Sequence, residues 1–278
     1  MSQKYKHYPI EIDGSAMLSI ADKMERIGLD FVYYNTFGLV KGVGPTPDVM
    51  FEERVKKLLG QIERRAKTGS IVLHALPKGQ TLRIVPYTDA DVKSMKAVCN
   101  AYADPNDQGT IHIDPTKWVP VSWACTGPGK DPWNGTSGTR GDELLLHEMI
   151  HSMRMLNGRF DNSTTLNVAP YQYYTDTEEF IAILITNIFI SEQGIKNLRR
   201  DHSNGYLMPL NWLTSAGFLS DPVNRQWTEY YFFREPIAMT LATALPASVE
   251  FNPFRQVYLE SAKALRTATR DLLGAIGM

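Results

Sequence analysis

The stretch His147–His151, which reads HEMIH, constrains this chain more than any other part of the sequence. The apolar run that surrounds it, residues 144–155, contains no proline and predicts a helix that presents both imidazoles on one face, one turn apart. Neutral imidazole nitrogens are good zinc ligands, and a zinc with three protein ligands keeps a position for a water whose pKa it lowers. The stretch therefore predicts two metal ligands, His147 and His151, and a general base, Glu148, which projects beside them.

The residues before this stretch favour that interpretation over a chance match, in which the histidines would simply be packed or solvated. Gly135, Gly138 and Gly141 precede the apolar run, where a loop should lead into a helix. Asp142 and Glu143 fall in the predicted first turn, where negative charge interacts favourably with the helix dipole. The local context is thus that of a helix that carries a metal site.

A third ligand is predicted on a second strongly apolar helix, over about residues 174–191. Glu179 lies 28 positions after His151, which leaves room for a loop and an antiparallel return helix. Glu178 is the alternative, and both carboxylates could merely favour a helix N-terminus. The spelling from Thr175 to Glu178 matches a capping box, which would occupy Glu178 and leave Glu179 on the buried face. The sequence therefore predicts one zinc ion per chain, held by the two histidines and Glu179.

A further group is expected to donate a hydrogen bond to the tetrahedral intermediate, as a histidine or tyrosine commonly does in zinc peptidases. His202, which follows the second helix, is one candidate, although an ordinary loop histidine is an equally good interpretation. Tyr173 is the other, and it lies in a cluster with Tyr171 and Tyr174. Both His202 and Tyr173 are carried forward as predicted catalytic residues.

The remaining pattern predicts an α+β fold in one domain, residues 1–278. A mostly helical segment, 1–68, leads into a catalytic core, 70–206, and a helical carboxy-terminal part, 207–278. A small sheet is expected before the metal helix. The predicted strands are Ser70–Ala75, Thr81–Pro86, Gly109–Asp114 and Trp118–Ala124, and the other predicted helices are 48–68, with its charged residues outward, 89–102, 236–245 and 253–275.

Composition excludes several classes of protein. The net charge of −1 argues against a nucleic-acid partner bound by bulk charge, and two cysteines are too few for a disulfide framework. The apolar run 180–190 is too short to span a bilayer, so no integral membrane segment is expected. The first fourteen residues lack the apolar stretch of a secretory signal peptide, so an exported protein would have to use another route.

Three strings, His147–Arg154, Glu178–Ala182 and Arg200–His202, together resemble bacterial effector zinc metallopeptidases of the NleD type. In the second string, a glutamate followed three positions later by alanine resembles the third-ligand helix of the gluzincin class, where a small residue lets two helices approach closely. The resemblance covers about residues 71–206.

The resemblance implies a zincin-like fold and a zinc metalloendopeptidase, a toxin or virulence effector secreted by a type III or type VI-like system. It further implies a secretion-system or chaperone partner and a protein substrate in the cytosol of the recipient or host cell. Some NleD-like members cut stress-activated MAP kinases. The substrate would lie extended along a strand edge, with Gly109–Asp114 or Trp118–Ala124 as candidates. Two alternatives stay open: a zinc hydrolase of a non-peptide bond, and a delivered binding protein whose metal is structural.

Overall fold

The computed structural model describes residues 2–16, 47–87, 101–113, 140–164, 174, 176–200 and 207–275. Within these ranges the chain has the α+β architecture predicted from its sequence, with one small mixed sheet and several helices. The strands are β1 (Gln3–Lys4), β2 (Ile10–Ile12), β3 (Leu82–Pro86), β4 (Ala101–Ala103) and β5 (Thr110–Ile113). The α-helices are α1 (Pro47–Arg65), α2 (Lys67–His74), α3 (Gly141–Leu156), α4 (Thr177–Glu192), α5 (Ser215–Phe218), α6 (Pro222–Arg234), α7 (Pro236–Ala244) and α8 (Pro253–Ala275), with a 3-10 turn at Leu210–Trp212.

The described strands form a five-stranded sheet in the order β1-β2-β3-β5-β4. The three inner strands are parallel, and the two edge strands, β1 and β4, run antiparallel to their neighbours. Ile10 pairs with Leu82, and Ile12 pairs with Ile84, so the amino-terminal segment contributes strands to the sheet. The prediction of a mostly helical segment 1–68 missed these strands, which are too short to give a pattern of alternating apolar residues.

The predicted strands at 81–86 and 109–114 are confirmed as β3 and β5, but Ser70–Ala75 lies in a helix, α2, and its end. An apolar run of this length fits a strand or a buried helix equally well, and here a distant side chain decides. The carboxylate of Glu192 accepts hydrogen bonds from the amides of Lys67 and Thr68, at 2.8 and 2.9 Å, and so satisfies the first turn of α2. His74 consequently lies at an exposed helix end, whereas His112 is in β5 as predicted.

Two other predictions need correction. The predicted helix 89–102 does not reach its stated end, because Ala101–Ala103 is strand β4, and residues 88–100 are outside the described ranges. The amphipathic helix at 48–68 is confirmed as α1, but Glu52 is buried and its carboxylate faces the amide of Gly14 instead of solvent. The predicted strand Trp118–Ala124 also lies outside the described residues.

Helix α4 is the centre of the helical layer. Its residues from Phe180 to Ile190 are buried on every side, which is the expected consequence of a helix that is apolar all round. Helix α3 packs along it, α2 contacts both, and α6 packs on α4 from the carboxy-terminal part. The helices predicted at 236–245 and 253–275 are confirmed as α7 and α8. Among the described residues, no helix combines the length and apolar character needed to cross a membrane.

Candidate metal centre

The helix that carries the HEMIH stretch, α3, is fixed at its amino-terminal end by a cluster of charges. The Asp142 carboxylate accepts hydrogen bonds from Arg65 of α1 at 2.6 Å and from Arg140 at 3.0 Å. Glu143 accepts a hydrogen bond from the Arg140 amide at 3.4 Å. The predicted acidic first turn is confirmed, and its carboxylates tie the start of the helix to the segment before it and to α1.

The two histidines of α3 and Glu179 of α4 bring three ligand atoms together. The Nε2 atoms of His147 and His151 are 3.1 Å apart, with ring planes at 85°. The carboxylate of Glu179 lies 3.2 Å from Nε2 of His147 and 3.4 Å from Nε2 of His151. The two imidazoles are buried and the carboxylate is partly exposed.

This donor set fits zinc. Ligand atoms at about 2.0–2.1 Å from a tetrahedral zinc are separated from one another by about 3.3 Å. The two Nε2 atoms are 3.1 Å apart, and the nearest Glu179 oxygens, Oε2 at 3.2 Å from His147 and Oε1 at 3.4 Å from His151, lie at about that distance from them. Two imidazole nitrogens and one carboxylate oxygen are also the ligand types of catalytic zinc sites, which keep a fourth position open.

The electrostatic surroundings shift the pKa values of the two imidazoles in opposite directions. Burial, together with the nearby guanidinium of Arg199, lowers the pKa of His147 to about 3, so this ring is neutral. Burial also disfavours the charged form of His151, but the carboxylates of Glu179 and Glu178 outweigh it and raise the pKa of His151 well above its usual value. A metal must therefore displace a proton from His151, whereas His147 offers its lone pair directly.

The predicted general base, Glu148, is buried on the side of α3 that faces the sheet. Its Oε2 atom accepts a hydrogen bond of 2.8 Å from the amide of Ala103 in β4. Because β4 is an edge strand of the described sheet, this amide points away from β5 and toward the metal helix. The predicted substrate edge Gly109–Asp114 is therefore wrong, because β5 is an inner strand, paired on both sides; among the described strands, β4 is the edge beside Glu148.

Glu178 does not form the predicted capping box. Helix α4 begins at Thr177, and the Asp176 side chain caps it by accepting the amide hydrogen of Glu179 at 2.9 Å. The Glu178 side chain points inward, where it accepts hydrogen bonds from Arg154 Nε at 2.6 Å and from the Asp161 amide at 3.1 Å. Its Oε1 atom lies 3.6 Å from Nδ1 of His151, on the opposite side of the ring from the metal-facing nitrogen. A carboxylate there fixes the ring orientation and tautomer of a metal-binding histidine.

The two residues predicted to assist the intermediate, His202 and Tyr173, lie outside the described residues, as does Tyr171. Tyr174 is described, and it is buried with its ring 4.9 Å from that of Phe180, centroid to centroid. Comparison of the chain with protein-family models, with curated proteins and with solved structures found no match.

Sequence reasoning missed the buried ion network behind His151. Arg154 is only 3% exposed, and besides Glu178 it contacts Glu235 at 2.5 Å and donates to the Arg159 carbonyl at 2.6 Å. Its guanidinium also lies 5.1 Å from the Tyr231 ring centroid. One signal was available: a charged residue within the apolar run of α3 is rarely buried unless it is paired. The identity of its partners was not, because Glu235 is far away in the sequence.

Proposed function

We propose that this protein is a zinc-dependent metalloendopeptidase of the gluzincin type, in which His147, His151 and Glu179 hold the metal. The observation that carries the proposal is the convergence of these three ligand atoms beside the carboxylate of Glu148. The described residues supply three ligand atoms, the number typical of catalytic zinc, whereas structural zinc sites usually have four protein ligands. The resemblance to NleD-type effectors supports the same activity.

When bound, zinc supplies a Lewis acid that polarises a scissile carbonyl and makes a water nucleophilic near neutral pH. Glu148 takes the proton of the attacking water and passes it to the leaving amine. The Ala103 amide holds one oxygen of this carboxylate, and the other oxygen is the one proposed to take the proton. His202 and Tyr173 remain the proposed donors to the tetrahedral intermediate.

The substrate is proposed to be a protein segment that binds in extended form along the outer edge of β4. A peptide can add to an edge strand as another strand, and here it would pair with the main-chain groups of the edge other than the Ala103 amide, which already donates to Glu148. Residues Ala101–Ala103 place that edge next to Glu148, so a paired peptide would pass the base and the metal cluster. In keeping with the resemblance, we propose delivery by a type III or type VI-like system and action on a protein in the recipient cell cytosol.

The test combines metal content with cleavage of unselected proteins. We expect about one zinc per chain, and we expect Glu148→Gln to keep that zinc while it lowers turnover by about 10²–10⁴-fold through loss of the base. Zinc is measured by elemental analysis, and activity by mapping new peptide termini after incubation with a recipient-cell lysate. Glu229→Gln, at a partly exposed position of α6, is the matched control that should cleave as wild type does.

Absence of stoichiometric zinc after reconstitution would overturn the metal site. Equal cleavage by the zinc-loaded Glu148→Gln protein would overturn the mechanism. Zinc without new peptide termini would instead favour hydrolysis of a non-peptide bond or a structural metal.

A further inference from the structure

A second pocket lies behind the metal centre, where the end of α3, the start of α4 and helix α6 meet. Its volume is about 380 Å³, which is within the range of small-molecule sites. Three arginines and three aromatic residues contribute to its wall. They are Arg154, Arg159, Arg234, Trp227, Tyr230 and Tyr231.

The charges of this pocket leave positive groups available to a ligand. Of the two lining carboxylates, Glu235 is already engaged by Arg154 at 2.5 Å and lies 3.4 Å from Arg159. The other, Asp161, accepts hydrogen bonds from the amide and the hydroxyl of Ser163 in its own turn. Arg234 has no acidic partner among the described residues, since its guanidinium donates to the Tyr230 hydroxyl and lies 4.5 Å from that ring centroid.

Arg159 and Arg234 are therefore the groups that can receive an anion. The Arg159 side chain is 41% exposed, and among the described residues its one carboxylate partner is Glu235, which it shares with Arg154. A guanidinium carries five N–H donors in a planar fork, and neither side chain uses all of them within the described residues. Phosphate and carboxylate are the anions that match this fork.

Aromatic rings form the rest of the wall. Trp227 and Tyr230 meet edge to face, with their ring centroids 5.2 Å apart, and Tyr231 lies behind them under Arg154. Trp227 and Tyr230 are both partly accessible, so part of each ring can contact a flat ligand, although Arg234 lies over the Tyr230 ring. Edge-to-face and offset contacts between aromatic rings are favourable beyond the area that they bury.

We propose that this pocket is a binding site for a small aryl phosphate or aryl carboxylate. The anionic group lies between Arg159 and Arg234, and the aryl ring packs against Trp227 and Tyr230. The site is separate from the metal cluster, because none of His147, His151 and Glu179 lines it. Binding there does not depend on the proposed peptidase activity.

Phenyl phosphate is the probe, and inorganic phosphate is the comparison that lacks the ring. We expect calorimetric titration of the zinc-loaded protein to give a phenyl phosphate affinity at least about tenfold higher than that of inorganic phosphate. Arg159→Gln and Arg234→Gln should each weaken phenyl phosphate by about tenfold, since each removes charge-assisted hydrogen bonds. Trp227→Leu should weaken phenyl phosphate and leave inorganic phosphate unchanged.

Arg225→Gln is the matched control on the same helix, because Arg225 pairs with Glu229 and Glu260 and does not line the pocket. It should bind phenyl phosphate as the wild type does. Equal affinity in Arg159→Gln, Arg234→Gln and wild type would overturn the site. Binding that disappears when zinc is removed but persists in the arginine variants would assign the ligand to the metal instead, and would overturn it as well.

Discussion

Glu178 and Glu179 are neighbours in sequence but face different parts of the molecule. Successive helical residues diverge by about 100°, so only one of the two can point at the metal cluster. Glu179 lies 3.2 and 3.4 Å from the Nε2 atoms of the two histidines, whereas Glu178 is paired with Arg154. Their substitutions should therefore differ in kind.

We expect Glu179→Ala to abolish tight zinc binding and to leave the fold intact, because the Glu179 side chain is partly exposed. Glu178→Ala should weaken zinc binding by about 10–100-fold, as is typical when the partner of a metal-binding histidine is lost. It should also lower the free energy of unfolding by about 1–3 kcal/mol, since the buried Arg154 loses a charge-assisted hydrogen bond while Glu235 still pairs with it. Zinc titration and urea unfolding measure the two effects.

Glu192→Ala is a useful reference for this pair, because Glu192 lies on the same helix and caps α2 instead. It should lower stability and leave zinc affinity unchanged. Tight zinc binding by Glu179→Ala, with loss of zinc by Glu178→Ala, would show that the ligand is Glu178.

Zinc affinity should fall steeply as the pH is lowered through neutrality. The raised pKa of His151 means that a proton competes with zinc for this ring already above the usual imidazole range. The affinity should therefore rise with pH until His151 is deprotonated, and zinc binding near neutral pH should release about one proton per chain. Titration calorimetry in buffers of different ionisation enthalpy counts that proton. A count of zero at neutral pH would contradict the raised pKa.

The sequence predicted that His147, His151 and Glu179 come together, because two histidines four positions apart share a helix face and Glu179 lies on the next apolar helix. That they bind a metal stays a prediction. The sequence analysis gave Glu178 the wrong role. The N-cap of α4 is Asp176 instead of Thr175, so Glu178 does not take part in a capping box and its side chain can point into the protein. The Ala103 contact could not be predicted, because it depends on how the sheet edge lies against α3.

Helices α1 and α2 meet at a close contact that only a glycine permits. A Cβ atom at position 69 would lie 2.0 Å from the Ile62 carbonyl oxygen, so the backbone would have to move. At Gly60, within α1, a Cβ would meet only the end of the Arg64 side chain, at 3.1 Å, and that end can swing away. The two glycines thus give a matched pair.

We expect Gly69→Ala to destabilise the protein by about 1–3 kcal/mol through overpacking. Gly60→Ala should be neutral or should stabilise it by about 0.5–1 kcal/mol, because alanine loses less conformational freedom than glycine in a helix. Thermal unfolding of both variants measures the difference. Equal unfolding temperatures would mean that α1 and α2 can separate at little cost.

Helix α2 also illustrates why local pattern alone failed there. Its apolar residues, Ile71 to Leu73, suit a strand as well as a helix. The contacts that stabilise the helix come from elsewhere in the chain: Glu192 caps its first turn, and Gly69 packs closely against α1. Strand β3 was predictable because turn residues precede it in the sequence and its buried positions alternate with less buried ones. Tertiary contacts therefore determine the conformation of α2, whose apolar pattern is shorter and less regular than that of β3.

Strand β2 lies between β1 and β3, so the first described residues of the chain belong to the same sheet as residues 82–86. Ile12 is fully buried at this junction and belongs to the main core. Ile12→Ala should lower the free energy of unfolding by about 2–5 kcal/mol, the usual result of deleting a buried aliphatic group. Lys4→Ala, at an exposed position of β1, should change it little. Urea unfolding of both variants measures this, and equal midpoints would mean that β2 is not part of the cooperative core.

The pairing of β2 with β3 also sets the order in which the fold can be completed. Ile10 is synthesised about 70 residues before its partner Leu82. The two strands can therefore pair only when a long loop closes, and the entropy cost of that closure is met before the pairing stabilises the sheet. Until Leu82 has been synthesised, β2 cannot form its parallel pair. We therefore expect the pairing of β2 with β3 to be a late step of folding, in which residues at the amino-terminal end of the chain are among the last to be buried.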